Sequence, residues 1–318
     1  MGKILFYKQR TFSEIVNVTF EFIRENWRPV LKYMVYILLP LSLVLALVMN
    51  EFYKITGFSG IADAATYGYN NEDITLIIYF LAVTFVNFIG MVLFHSLIFT
   101  LIELYNTRSF GLSGIAWSDI RPLIWKFFGK SVALSLTLFF IILIAVLVVG
   151  LLVVATPFTL ILTIPAFIAA LVPLAFAYPE YLYGKGALLQ SLSHSYTLGW
   201  RCWVSIFGIS LLTGLISGVL QTITSMPQQV TILFRAIMAS SNDAEAMSPL
   251  MSFIFYIFGV ISSFGGYVAS TVIPIAVSYL YAHAKEKYDG LTMFSDIENF
   301  DRLGEREQNQ EQKPYDLI

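Results

Sequence analysis

The chain has 318 residues, 57% hydrophobic and only 13% charged, with a formal net charge of -2. A soluble domain carries about 25% charged residues, so a water-facing surface over this whole length is excluded, and the charge balance offers nothing to a nucleic-acid partner. The single cysteine, Cys202, excludes an intrachain disulfide and a cysteine-rich metal site, and it reads as a small apolar residue.

Crossing a bilayer core of roughly 30 Å takes about 20 helical residues at about 1.5 Å each. Residues 30–49 meet this requirement first. No small-x-small cleavage site follows them, so they are expected to stay in the protein as span one. Residues 74–102 form the second span. Between Lys130 and Glu180 lie 49 residues without a charge, about 74 Å of helix and therefore two crossings. Thr156-Pro157 is the natural break, which sets spans at 131–155 and 158–178. Residues 204–223 and 251–281 complete an all-α, six-transmembrane-helix bundle, a single membrane domain over residues 1–300. The glutamine-rich tail, 301–318, is expected to be disordered. Of the 19 Lys and Arg residues, all but Lys54 and Arg235 fall on the side of the N-terminus, which predicts both ends in the cytoplasm.

A short amphipathic segment precedes each odd-numbered span. In the first, Thr11-x-x-Glu14 reads as a capping box, followed by Phe12, Ile15, Val16, Thr19, Ile23 and Trp27 at helical spacing. The second carries Ile120, Leu123, Ile124, Phe127 and Phe128, and the third Leu189, Leu192 and Tyr196. Each ends at a helix breaker beside aromatic and basic residues: Trp27-Arg28-Pro29, Phe128-Gly129-Lys130 and Gly199-Trp200-Arg201. Aromatic rings with cations suit the headgroup region, so Trp27, Arg28, Phe128, Lys130, Trp200 and Arg201 are the expected anchors. The repeating unit is then an interfacial helix plus a hairpin, used three times. Gly214-x-x-x-Gly218 in span five and Ser262, Gly266 and Ser270 in span six are small-residue ladders. They permit close packing within the bundle or, alternatively, in a homo-oligomer. On the opposite face, Pro227 to Ala239 is a candidate for another interfacial helix.

Ionisable residues inside a membrane are functional candidates because burying charge in lipid is costly. Asn87, His95 and Glu103 of span two, with Glu180, His194 and His283, are the candidates for one polar pocket on the cytoplasmic side. Separate interfacial residues are the alternative reading. No HExxH, Cys-x-x-Cys or clustered carboxylates occur, so neither a metal nor another cofactor is expected. Pro157, Pro165 and Pro173 recur every eight residues through span four, as kinks for packing or as a broken-helix binding site.

The stretch from Tyr178 to Trp203 resembles a segment of polytopic bacterial proteins related to the membrane domain of glycerophosphoryl diester phosphodiesterases. Glu180, Leu192, Ser195, Leu198 and Trp203 match a Glu-bearing loop, an amphipathic helix and a Trp entering the next span. The resemblance implies a membrane fold in a bacterial inner membrane, near lipid metabolism. It implies no hydrolase chemistry, because the catalytic barrel of that family has no counterpart here. The expected function is therefore non-enzymatic: organising or sensing lipids or partner proteins at the cytoplasmic face. A transporter or lipid-translocating protein using spans two and four is the alternative. The expected partners are the bilayer, with phospholipid headgroups or another membrane protein.

Overall fold

The computed structural model describes residues 3–56, 71–156, 159–184, 186–240 and 249–290. The helices are α1 (Phe12–Thr56), α2 (Asn71–Thr107), α3 (Trp117–Ala155), α4 (Leu160–Leu171) and α5 (Ala177–Tyr183). After them come α6 (Leu188–Arg201), α7 (Trp203–Ser240), α8 (Pro249–Ser270) and α9 (Val272–Asp289). A 3₁₀ turn, Val172–Phe176, joins α4 to α5, and no strand occurs among the described residues. Among the described residues six stretches are long and apolar enough to cross a membrane: Phe12–Phe52, Ile77–Thr107, Trp117–Val154, Ile161–Tyr183, Trp203–Phe234 and Pro249–Asp289. The chain is thus a six-span all-α membrane protein. Its tail, 301–318, lies outside the described residues.

The burial is lopsided. At the end of the bundle that carries the N-terminus, Phe22, Leu38, Leu97, Ile102, Phe176 and Tyr279 are fully enclosed. α9 runs through this core and buries nearly every residue from Val272 to Ala284. Gly290 ends it in the left-handed conformation (φ 58°), which glycine adopts without strain. Toward the opposite end the helices carry apolar side chains outward, as at Leu151, Val154, Ile161 and Leu162. Lipid is the solvent for such a surface.

The first two expected breaks do not occur. α1 runs through Pro29 and Pro40, and α3 runs through Gly129. Phe22, Tyr33 and Met34 are buried on both sides of Pro29, and Phe127, Ser131 and Leu134 on both sides of Gly129. Packing on both flanks outweighs one lost hydrogen bond or about 1 kcal/mol of glycine propensity. The first two segments are therefore continuous with their spans. Their apolar stripes, Ile15, Val18 and Phe22 in one and Ile120, Ile124 and Phe127 in the other, are covered by protein. The Thr11–Glu14 box does form: the Thr11 N–H donates to Glu14 Oε2 (2.6 Å), and the Glu14 N–H to Thr11 Oγ1 (3.4 Å). A true break separates α6 from α7, at Cys202, one residue beyond Arg201.

Spans three and four are separate helices, the one ending at Ala155 and the other beginning at Leu160, and Pro157 of the expected break lies outside the described residues. Pro173 sits inside the 3₁₀ turn and has no N–H for the carbonyl of Ala169 four residues back. The Trp203 indole N–H takes that place, 2.9 Å from the Ala169 oxygen. Trp203→Phe is expected to cost about 1–2 kcal/mol by orphaning that carbonyl. In the Pro173→Ala background the restored N–H removes most of the cost, and a double-mutant cycle by denaturant unfolding reads the coupling. At the end of the bundle away from the N-terminus α7 is unbroken through Pro227 to Ser240, so that region continues span five.

Candidate functional site

The six expected pocket residues do not converge on one site. They occupy three places.

The first is a cavity of about 730 Å3 between α1, α2, α7 and α8. From α2 it takes Thr84, Asn87 and His95; from α7, Gln221 and Gln228; from α8, Ser262, Ser263, Gly266 and Tyr267. Leu45 and Met49 of α1 form part of its apolar lining. α2 packs closely on α1 and α3, and α8 on α1 and α7, so α2 and α8 stand apart across this gap. Asn87 and Met91 are exposed, so the cavity opens along the flank of the bundle. The Tyr267 hydroxyl reaches across to the Gly90 backbone, where a larger residue would collide with it.

Local bonding leaves this lining rich in acceptors. Asn87 Nδ2 donates to the Val83 carbonyl (2.9 Å), which leaves its Oδ1 free to accept. His95 Nδ1 lies 2.8 Å from the Met91 carbonyl; a carbonyl only accepts, so Nδ1 carries the proton and Nε2 the lone pair. The His95 ring stacks on Tyr178 at 4.4 Å, which is how span four reaches span two, and the Tyr178 hydroxyl bonds Ser135 Oγ (2.6 Å).

Span six lacks one helical hydrogen bond at this cavity, while Thr271 keeps helical dihedrals (φ -59°, ψ -29°). α8 ends at Ser270 and α9 begins at Val272, with Thr271 between them in a turn. Pro274 has no N–H for the Ser270 carbonyl, and Ser270, Ile273 and Pro274 all line the cavity. The proline that matters to the cavity is thus in span six. Pro173 in span four serves packing.

The second place is an ion cluster at the N-terminal end of the bundle. Glu180, on α5, is only 7% exposed. Its Oε2 accepts from the Tyr281 hydroxyl (2.8 Å) and lies 3.1 Å from Lys285 Nζ. Its Oε1 lies 3.2 Å from His194 Nδ1, and Lys285 also meets Asp289 at 3.0 Å. The nearby Tyr7 phenol is pushed up to about 12, first by burial and then by the Glu103 and Glu180 carboxylates, so it stays a donor. Glu103 is half-buried at the end of α2, where its backbone carbonyl accepts from Thr107 Oγ1 (3.0 Å).

The third is the N-terminal strap. Ile4 and Phe6 are buried, the Ile4 N–H donates to the Tyr105 hydroxyl (3.2 Å), and the Arg10 N–H to His283 Nδ1 (2.9 Å). His283 therefore anchors the strap to α9.

The expected anchors also divide. Trp27 and Trp200 are half exposed, with the Arg28 and Arg201 guanidinium groups over Trp27 and Tyr288. Phe128 is half-buried against Trp125. Lys130 instead donates to the Tyr181 and Gly184 carbonyls (2.8 and 3.3 Å), closing the end of α5. Of the small-residue ladders, Gly214 and Gly218 face open space. Ser262, Gly266 and Ser270 line the cavity, and the tight contacts of α8 fall at Gly259 against Ala46 and Gly265 against Thr224.

Sequence reasoning missed Gln221 and Gln228, although two amides seven apart in an apolar span mark one helix face. It also missed Lys285 and Asp289, an i,i+4 pair at the end of span six. Cys202 is buried, and burial pushes its thiol up. Alkylation is expected to be slower than for a free thiol and to rise with pH beyond the usual thiol range. Mass spectrometry of timed alkylation at several pH values checks this.

The fold and cavity define a polytopic helical membrane protein with a chamber among its spans, mainly apolar and carrying several uncharged polar groups. No family model, no curated protein and no solved structure matches the chain.

Proposed function

We propose that this is a non-catalytic, lipid-handling membrane protein that admits an amphipathic molecule from the bilayer into the cavity between α1, α2, α7 and α8. The observation that carries this reading is a chamber of about 730 Å3 beside Pro274 of span six, mainly apolar but carrying several amides and hydroxyls, and open on the flank where lipid lies. Its volume falls within the roughly 300–1,000 Å3 of ordinary ligand sites. Neutral amides and hydroxyls inside a bundle are costly unless something satisfies them. Organisation of partners by three interfacial helices is less well supported, because two of the three segments are continuous with their spans.

The test is native mass spectrometry of the detergent-purified protein. A one-to-one lipid adduct that survives delipidation is expected, and Ser262→Phe, which fills the chamber, is expected to remove it while the variant still unfolds cooperatively. An adduct unchanged in the folded variant, or no adduct in the parent protein, overturns the reading.

The distribution of Lys and Arg supports both termini in the cytoplasm of a bacterial inner membrane. A fluorescent-protein fusion to the C-terminus is then expected to glow, and a periplasmic phosphatase fusion at the same point to be inactive.

A further inference from the structure

We infer, on the reading of the cavity as a lipid site, that the group it receives is an uncharged, hydroxyl-rich headgroup. The electrostatics come first. Among the described residues lining the chamber there is no Lys, Arg, Asp or Glu. A phosphate or carboxylate carried in there loses its water and meets no cation, and an ammonium group meets no carboxylate. Charges unpaired in this way are strongly disfavoured inside a membrane.

The second step is the sense of the hydrogen bonds. Asn87 keeps its Oδ1 acceptor and its second N–H once the first donates to Val83, and His95 Nε2 is left to accept once Nδ1 donates to Met91. The Ser270 carbonyl has lost its usual donor to Pro274. Thr84 has spent its proton on the Phe80 carbonyl (2.8 Å) and keeps its lone pairs. These four acceptors call for a guest that brings several donors. Gln221 and Gln228 add amides, which give and accept at once and so suit hydroxyls, themselves both donor and acceptor. Phe88, Phe94 and Tyr267 supply faces for the apolar side of a ring. A sugar or polyol has that combination of properties. A simple ion would leave most of the volume and the aromatic wall unused.

The headgroup reaches the chamber attached to a lipid or as a free solute, and the experiment separates the two. In a Cys202→Ala background, Ser263→Cys places a thiol in the chamber. Its maleimide labelling rate is followed in phosphatidylcholine nanodiscs. The additions are a glucosyl diacylglycerol, a phosphatidylglycerol with the same acyl chains, or methyl glucoside in the buffer. The glucosyl lipid is expected to slow labelling roughly tenfold when it stands at about ten times its Kd, since only the empty chamber reacts. Phosphatidylglycerol is expected to leave the rate unchanged. Gln221→Leu, a further change that retains the fold's apolar volume, is expected to abolish the protection.

Protection by phosphatidylglycerol equal to or greater than that by the glucosyl lipid overturns the headgroup inference and leaves the lipid site standing. Protection by methyl glucoside supports the hydroxyl chemistry and overturns the lipid source. Absence of protection by every addition overturns both.

Discussion

Glu180→Ala is expected to destabilise the detergent-solubilised protein by about 3 kcal/mol, as removal of one partner of a buried ion pair does. The carboxylate is 7% exposed and binds three side chains from two other helices: His194 of α6, and Tyr281 and Lys285 of α9. It is therefore the tie that holds α5 and α6 to the central helix. Glu180→Gln is expected to cost less, because an amide oxygen still accepts from the Tyr281 hydroxyl. Lys285→Ala made together with Glu180→Ala is expected to cost less than the sum of the two, since the second change removes the charge that the first orphans. Chemical unfolding followed by tryptophan fluorescence measures the four variants (the two at Glu180, Lys285→Ala and the double) against the parent. The more exposed Arg108–Asp119 pair, 2.5 Å apart, is the control: its ion-pair contribution is expected to stay within about 1 kcal/mol. A Glu180→Ala cost no greater than that control would mean that α6 and α9 are held by their apolar contacts alone.

The six spans were legible because length and hydropathy are properties of consecutive residues, and a bilayer reads them one segment at a time. The Thr11–Glu14 box and the break near Thr156 were legible for the same reason. What failed depends on neighbours from elsewhere in the chain. Pro29 and Gly129 look like helix ends, yet both lie within continuous helices because buried residues flank them on either side. Glu180 finds Lys285 across 105 residues, and no local pattern announces that pairing. The ladder Ser262, Gly266, Ser270 has the composition of a packing seam, but it faces a gap because α2 stands away from α8. Small residues permit close approach without requiring it. Asn87 and His95 were picked out as polar residues in an apolar span, and that signal did lead to the cavity. The companions that turn two polar side chains into a chamber come from α1, α7, α8 and α9, and only the packing of helices assembles them.

The same ambiguity makes glycine substitutions diverge in sign. At Gly199 an added Cβ would lie 2.6 Å from the Pro173 carbonyl oxygen, 2.7 Å from its Cα and 2.8 Å from its Cβ. These are atoms of a prolyl residue inside the 3₁₀ turn, and no side-chain rotation moves them. α6 must then lift off the turn, and the Trp203 indole that bonds Ala169 is carried on the helix that follows. Gly199→Ala is expected to cost about 3 kcal/mol, the upper end for overpacking. Gly214 and Gly218 lie in the interior of α7 with nothing within 4 Å of an added Cβ. There alanine removes only the flexibility of glycine, and each change is expected to be neutral or stabilising by about 0.5–1 kcal/mol. Unfolding midpoints of the three single variants, taken in the same detergent, give the comparison. A loss at Gly199 no larger than at Gly214 would mean that the turn yields and that Pro173 does not set the position of α6. A loss at Gly214 and Gly218 that grows with protein concentration would instead place a second copy of the chain against α7, the homo-oligomeric use of that ladder.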